Sequence, residues 1–276
     1  MRQYLDLVET VLTKGRRRTT SVQGVGNTVY AGAEMRFRPS EEFPLITTRS
    51  LKGSWKAIIG ELLWFLSGSN NVSDLHKNGI HLWDSWATKD ICDQYGLPEG
   101  SVGRIYGPQW RAWLTRSGTT IDQITKLVEE IMTKPDSKRM KVIAWNPEDV
   151  DGVFVAPCHG DFKCVVAEGV IDLCMVQRSA DLPIGVPFNM ASYSKFLLML
   201  AQVTGLQAGE FVHQLQDIHI YDNQVEAIKQ QLMRQPRHLP HVKLNPNVKS
   251  LFDFTIDDFV LEGYDPHPPI KIPVAV

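Results

Sequence analysis

The sequence predicts one α/β (α+β) domain over residues 1–276, with a large mixed β-sheet flanked by helices. Apolar residues recur at helical spacing in well-separated segments, and strand-like runs lie between those segments. No repeat, linker or low-complexity tract divides the chain. At 276 residues it is long enough to bury a substantial core.

Tyr4, Leu5, Val8, Val11 and Leu12 mark an amphipathic helix at the start. The basic, polar stretch from Lys14 to Ser21 follows as a loop, and Gly24, Gly26 and Asn27 punctuate a turn before a strand through Val29 and Tyr30. Arg16, Arg17 and Arg18 fit a solvated turn as well as a phosphate contact. Trp55, Ile58, Ile59, Leu62, Leu63 and Leu66 describe a helix buried on most of its circumference, and period alone puts Glu61 on its exposed face. Trp83, Trp86, Tyr106, Trp110 and Trp113 crowd an irregular stretch; such rings either stack a planar heterocycle or, more commonly, pack into a core margin.

A helix fits Ile121 to Met132, and Asp136-Ser137-Lys138-Arg139 leads into a strand from Met140 to Trp145. Strands from Asp161 to Val166 and from Val170 to Arg178 are joined by Ala167-Glu168-Gly169 as a tight hairpin. Phe188 to Val203 reads as a long, mostly apolar helix. A strand from Glu210 to Leu215 precedes Asp217-Ile218-His219-Ile220-Tyr221, and a polar helix continues to about Met233. The tail alternates through Phe252, Phe254 and Ile256 and closes with a proline-rich run from Tyr264.

With 43% hydrophobic and 22% charged residues, the composition is that of a soluble globular protein. A formal net charge of −2 argues against a nucleic-acid polymer as partner, though a local basic pocket would suit a free phosphate. No apolar run approaches the roughly 20 residues that span a bilayer, so no membrane is expected. Met1-Arg2-Gln3-Tyr4-Leu5 lacks a signal peptide's apolar core, and the expected location is cytoplasmic. Cys92, Cys158, Cys164 and Cys174 show no CxxC spacing, which disfavours structural zinc and a disulfide scaffold; no metal is expected. Cys164 and Cys174, among apolar neighbours, read as small buried hydrophobes.

Cys158, in Ala156-Pro157-Cys158-His159, invites a chemical reading. A thiol of pKa about 8.5 is only a few per cent thiolate at pH 7, so a nucleophile needs nearby positive charge. Arg178, in Gln177-Arg178-Ser179-Ala180-Asp181, could supply it. A Cys–His hydrolase is the rival. Adjacent residues on a strand point to opposite faces, however, which makes His159 a poor proton partner and leaves that work to a histidine such as His219. Asn189 offers one acceptor and two donors, matching the N3–H and O4 edge of uracil, while taken alone it reads as a helix cap.

Ordered motifs run through the chain: Met35-Arg36-Phe37, Phe43-Pro44-Leu45-Ile46-Thr47-Thr48, Glu61-Leu62-Leu63-Trp64-Phe65-Leu66, Tyr106-Gly107, Gln109-Trp110-Arg111, Pro135-Asp136-Ser137, Ala156-Pro157-Cys158-His159, Gln177-Arg178-Ser179, Pro187-Phe188-Asn189 and Pro273-Val274-Ala275. With them the chain resembles the thymidylate synthase family over nearly its whole length. The resemblance implies the thymidylate synthase fold and a C5 one-carbon transfer to dUMP from 5,10-methylenetetrahydrofolate, giving dTMP and dihydrofolate. It implies that Cys158 adds to C6 of dUMP, that Glu61 relays protons through ordered water near O4, and that Tyr106 serves proton removal from C5. Arg178 and Ser179 match phosphate ligands, and Asn189 the reader of the base. His219 and Tyr221 match residues that bond the ribose 3′-hydroxyl; Ala180 and Ile220 fall within the same substrate-binding runs. Asp181 matches the carboxylate that holds the pterin, Trp83 the ring shielding the methylene intermediate, and Gly185 is counted with the folate site. Ala275 and Val276 resemble a closing tail that excludes water. Lys138 and Arg139 match a basic pair donated to the partner's phosphate site, which implies a homodimer.

The chain also departs from the family pattern. An ungapped alignment sets Ser21-Val22-Gln23-Gly24 where Asp-Arg-Thr-Gly is usual, leaving Arg18 as the candidate phosphate ligand. Lys138 replaces a commoner arginine, Val155 replaces a leucine, and Arg49 to Lys56 is read as carrying a short insertion at a folate-contacting loop. Gln214-Leu215-Gln216 replaces a glycine-rich turn. Relatives of the family hydroxymethylate a pyrimidine nucleotide, delivering water in place of hydride to the exocyclic methylene. Trp83 and Pro273-Val274-Ala275 favour methylation, while the smaller Val155 favours the alternative, a dUMP hydroxymethylase giving 5-hydroxymethyl-dUMP and tetrahydrofolate.

Overall fold

Helical spacing at the start of the chain becomes α1 (Arg2–Lys14), which turns Tyr4, Leu5, Val8 and Val11 into the core. The fold comes from a computed structural model that describes residues 1–19 and 24–275; Ser21, Val22 and Gln23 of the phosphate-loop expectation, and Val276 of the tail, lie outside the described residues. Arg16–Arg18 form a short edge strand, β1, and the next strand, β2 (Asn27–Phe37), runs well beyond the expected Val29 and Tyr30. Its outer half alternates, with Met35 and Phe37 buried and Glu34 and Arg36 exposed. Then come α2 (Trp55–Ser67), α3 (Val72–His76), α4 (Lys89–Gln94) and α5 (Tyr106–Arg111). A small hairpin of β3 (Trp113–Leu114) and β4 (Thr120–Ile121) precedes α6 (Gln123–Thr133). Asp122 caps α6 by accepting the Thr125 N–H, so Ile121 belongs to the hairpin and not to the helix.

The strand expected from Met140 to Trp145 is only β5 (Lys141–Val142), because Asp161 Oδ1 takes the N–H groups of Ala144 and Trp145 away from any ladder. β6 (Asp161–Ala167) and β7 (Val170–Asp181) form the expected hairpin. Its two-residue turn needs positive φ twice, and Glu168 (φ 50°) and Gly169 (φ 76°) provide it. The long helix α7 (Gly185–Thr204) then leads to β8 (Gln207–Tyr221), which runs past the expected end at Leu215 to include Asp217 to Tyr221. α8 (Val225–Leu232) and a separate pair, β9 (His241–Leu244) with β10 (Phe259–Glu262), complete the elements.

Six strands make the main sheet in the order β1-β2-β8-β7-β6-β5. All neighbours are antiparallel except β7 and β8, whose parallel pairing requires the crossover that α7 supplies. α1 packs on β2 and β8, α7 on β7 and β8, and α2 on α5 and α7, so one sheet face is the wall of the core. Phe162, Ile171, Leu173, Met175 and Phe211 point into it. The opposite face shows Glu34, Arg36 and Gln214 exposed, with Arg36 paired to Glu34 and Glu210. No helix among the described residues is long and apolar enough to cross a membrane.

Candidate active site

Cys158 lies in the loop between β5 and β6, not on a strand. Arg178 holds that loop: its Nε donates to Pro157 O at 2.8 Å and its Nη2 to Ala156 O at 2.8 Å, while the guanidinium carbon lies 4.8 Å from the Trp145 ring centre. The backbone N–H groups of Arg178 and Ser179 both reach Cys158 O, at 2.8 and 3.4 Å. Two residues of β7 thus oppose one of the loop, the arrangement of a β-bulge. Alternation slips there, so that Gln177 and Ala180 are both buried. Cys158 donates its own N–H to Tyr106 Oη at 2.9 Å. Tyr106 is buried and carries φ 27°, a strained value for a residue with a side chain. Gly160, at φ 107°, ends the loop; a Cβ there would stand 2.7 Å from Ala144 Cβ.

His159 turns inward, for a reason other than strand alternation. Its Nδ1 shares a 2.8 Å hydrogen bond with Tyr193 Oη, and its ring lies 4.6 Å from that of Tyr106. Burial pushes its pKa down to about 3, so the imidazole is neutral and committed to the core. Burial likewise pushes the Cys158 thiol up, opposed by the Arg178 charge and by contacts to Ser179 and Tyr106. Cys158 lines a cavity of about 270 Å³ with Trp145, Asp161, Val176, Arg178 and Gln216. Gln216, in the segment that departs from the glycine-rich pattern, therefore lines the same cavity as Cys158.

Glu61 is not on an exposed face. Its Oε1 accepts the Trp83 Nε1 proton at 2.8 Å, and desolvation pushes its pKa up to about 7 despite that bond and the charge of Lys195. The side chain keeps a partial opening to solvent, but the surrounding rings exclude most of the water that would stabilise its charge. Phe65, one turn along α2, stacks on Tyr106 with ring centres 4.5 Å apart, which sets Glu61 beside the tyrosine that holds the Cys158 loop. The crowded aromatics thus pack as core: Trp83 and Trp110 are buried and Trp86 lies against them.

The parallel register sets Ser179 opposite Asp217, Ala180 opposite Ile218 and Asp181 opposite His219. β2 continues the row, with Asn27 opposite Tyr221, and β1 pairs Arg18 with Asn27. Asp181 accepts the Ile184 N–H on Oδ1 at 3.1 Å and the Gln224 Nε2 proton on Oδ2 at 3.2 Å. Burial raises its pKa, against those bonds and the nearby His219 and Arg49 charges. Gln224 Nε2 also donates to Pro273 O at 3.0 Å, tying the tail that bears the half-buried Ala275 to the same carboxylate. Asn189 is buried in the second turn of α7 and caps nothing; the helix starts at Gly185, and the carboxamide makes no hydrogen bond among the described residues. A Cβ on Gly185 would lie 3.8 Å from Asp181 Cβ and 3.9 Å from Asn189 Nδ2, so that glycine adjoins both.

His219 Nδ1 lies 3.1 Å from Asp217 Oδ1, whose other oxygen accepts from Arg18 Nη2 at 2.8 Å. Tyr221 packs edge-on to His219, with ring centres 5.0 Å apart. Cys158, Arg178, Ser179, Asp181, His219, Tyr221 and Arg18 therefore follow one another across one end of the sheet. Lys138 and Arg139 do not join them; both are exposed just before β5, the opposite edge strand from β1. Three residues of the site carried no sequence signal. Arg49 is buried, with its Nε donating to Gln231 Oε1 at 3.0 Å and its Nη2 to Pro183 O at 2.5 Å; the others are Gln224 and Tyr193. Their partners are distant in the chain, and no local spacing marks them.

Fold and site together define a mixed-sheet enzyme organised around a recessed thiol at one end of its sheet. The family model for thymidylate synthase matches residues 2–276, and the chain belongs to the thymidylate synthase family. That membership makes it a one-carbon transferase of a folate-dependent family that acts at C5 of dUMP.

Proposed function

We propose that this chain is a thymidylate synthase in the strict sense, methylating dUMP to dTMP with Cys158 as the nucleophile at C6. The observation that carries the reading is the fixed Cys158 loop, held by Arg178 on one side and Tyr106 on the other at the head of a row that ends in His219 and Tyr221. Arg178 Nη1 makes no hydrogen bond among the described residues, which suits a phosphate oxygen there, with Ser179 next to it on β7 and Arg18 held at Asp217, opposite Ser179. As the anionic nucleotide arrives, Arg178 and Ser179 stabilise the charged end of the substrate while the thiol is deprotonated and bonds to C6. Asn189 reads the uracil edge with its unengaged carboxamide, and His219 and Tyr221 hold the ribose. Glu61, about half protonated at neutral pH, passes a proton through water towards O4; Tyr106, hydrogen-bonded to the Cys158 backbone, stands at C5 for removal of its proton.

The residues present fit a folate. Asp181 is a half-buried acceptor next to Gly185, and Trp83 is a buried ring next to Glu61. The folate supplies the one-carbon unit and, in methylation, the hydride that reduces it. Pro273, tied through Gln224 to Asp181, brings the tail to that carboxylate and supports exclusion of water, hence hydride in place of water. The second reading, a dUMP hydroxymethylase, is favoured by Val155, which is half-buried and smaller than the leucine it replaces.

Lys138 and Arg139, exposed and remote from the Cys158 row, support donation to a partner subunit, and the polar, uncovered sheet face supports a homodimer. Four free thiols suit the reducing cytoplasm. Incubation with 5-fluoro-dUMP and methylenetetrahydrofolate is expected to give a covalent ternary adduct on Cys158, visible by mass, that C158S does not form. With dUMP, dihydrofolate absorbance should rise together with a product of dTMP mass. No adduct would overturn the nucleophile; a hydroxymethyl product without dihydrofolate would overturn methylation.

A further inference from the structure

We propose that His76, His81 and Asp84 form a site for one transition-metal dication of the zinc class, on the outside of the segment that carries Trp83. His76 ends α3, His81 lies in the irregular segment that follows, and Asp84 opens a 3-10 turn, Asp84–Trp86. One ligand atom from each of the three lies within 4.8 Å of the others. Asp84 Oδ1 is 2.7 Å from His76 Nε2, and Asp84 Oδ2 is 2.8 Å from His81 Nδ1. The two imidazoles lie side by side, with centres 4.7 Å apart and planes 29° apart, so that both aim a nitrogen at one carboxylate.

Two imidazole nitrogens with one carboxylate are donors for zinc, cobalt, nickel or copper, not the all-oxygen set that calcium or magnesium takes. Zinc bonds of about 2.0–2.1 Å set tetrahedral donors roughly 3.3 Å apart, so each nitrogen–oxygen separation must open by about half an ångström. The side chains can do this without disturbing the core, because His76 is 40%, His81 63% and Asp84 44% exposed. Water completes the coordination from the solvent side. The site departs from the sequence expectation of no metal, which rested on cysteine spacing and had no purchase on two histidines and an aspartate in three separate segments. It is independent of the reaction proposed above, although Asp84 adjoins Trp83, whose indole N–H is held by Glu61. A bound ion would brace that ring from outside.

Titration of the purified full chain, free of any affinity tag, with zinc chloride in a calorimeter and with cobalt chloride by visible absorption tests the site. One ion per chain is expected. H81A and D84N should each weaken binding by at least about tenfold, since removing a ligand exceeds the 10–100-fold effects seen for groups behind a ligand. H238A/H241A, at exposed histidines elsewhere, should bind as the parent does. Zinc should raise the melting temperature of the parent and leave that of H81A unmoved, a readout that also shows the variant folds. No saturable binding by the parent, unchanged binding by H81A, or loss of binding in H238A/H241A would each overturn the proposal.

Discussion

Glu61 has a folded pKa of about 7 against an ordinary 4.5, because protein atoms have replaced its water. The sign follows from linkage. A carboxyl whose pKa is raised on folding favours the folded state fully below its unfolded value, and that contribution disappears as pH climbs to the folded value. E61Q, which cannot ionise, should therefore gain in melting temperature relative to the parent between about pH 4.5 and 7 and hold a constant difference above that. A difference that stays flat from pH 4 to 9, followed by differential scanning fluorimetry, would show that Glu61 is not desolvated. Residue-scale reading of the sequence paired Arg178 with Cys158 by charge, and the structure brings the two together. The same reading failed for the placement of Glu61, because period assigns a face and cannot see that Trp83, which reaches it from a different segment, lies over that face. Asn189 failed likewise as a cap, since α7 begins four residues earlier at Gly185.

Elements were legible where one face is apolar, as in α1, where a long run is mostly apolar, as in α7, and where a turn has its own chemistry, as at Glu168-Gly169. β8 outran the expected Glu210–Leu215 at both ends, and its alternation continues through exposed Gln214 and Gln216 on either side of buried Leu215. The loop from Ala156 to Gly160 depends on a conformation that only glycine adopts freely. G160A should cost about 1–3 kcal/mol, from strain at φ 107° and the approach to Ala144, and should lower the urea midpoint accordingly. A midpoint equal to the parent's would mean that the loop relaxes without loss. Gln224 couples another loop to the tail. Q224A leaves Pro273 O and one Asp181 oxygen without their shared donor, and kcat is expected to fall roughly tenfold, about one hydrogen bond's worth of tail closure. Product analysis should show some one-carbon transfer that no longer yields dihydrofolate. Unchanged kcat and product would disconnect the tail from the reaction.

For the whole molecule, the two sheet faces differ in kind: one is covered by α1 and α7, the other bears exposed charge. Sedimentation is expected to give twice the 31.2 kDa chain mass. If Lys138 and Arg139 serve the partner, mixing inactive C158S with inactive K138A/R139A should restore activity, since one of the two sites in each mixed dimer is then complete. A mixture as inactive as its parts would confine both residues to their own subunit. The strand order was the least legible feature, because β7 and β8 pair across α7 with no local mark of their parallel direction. That single parallel pairing governs the order of assembly. Arg178 to Asp181 and Asp217 to Tyr221 become neighbours only after the 20-residue α7 has docked, a closure that is slow in entropic terms. A nick anywhere in that crossover would leave each half with a fraction of the residues in the row, and neither with a working centre. During folding, the thiol thus stays an ordinary cysteine until most of the chain is in place.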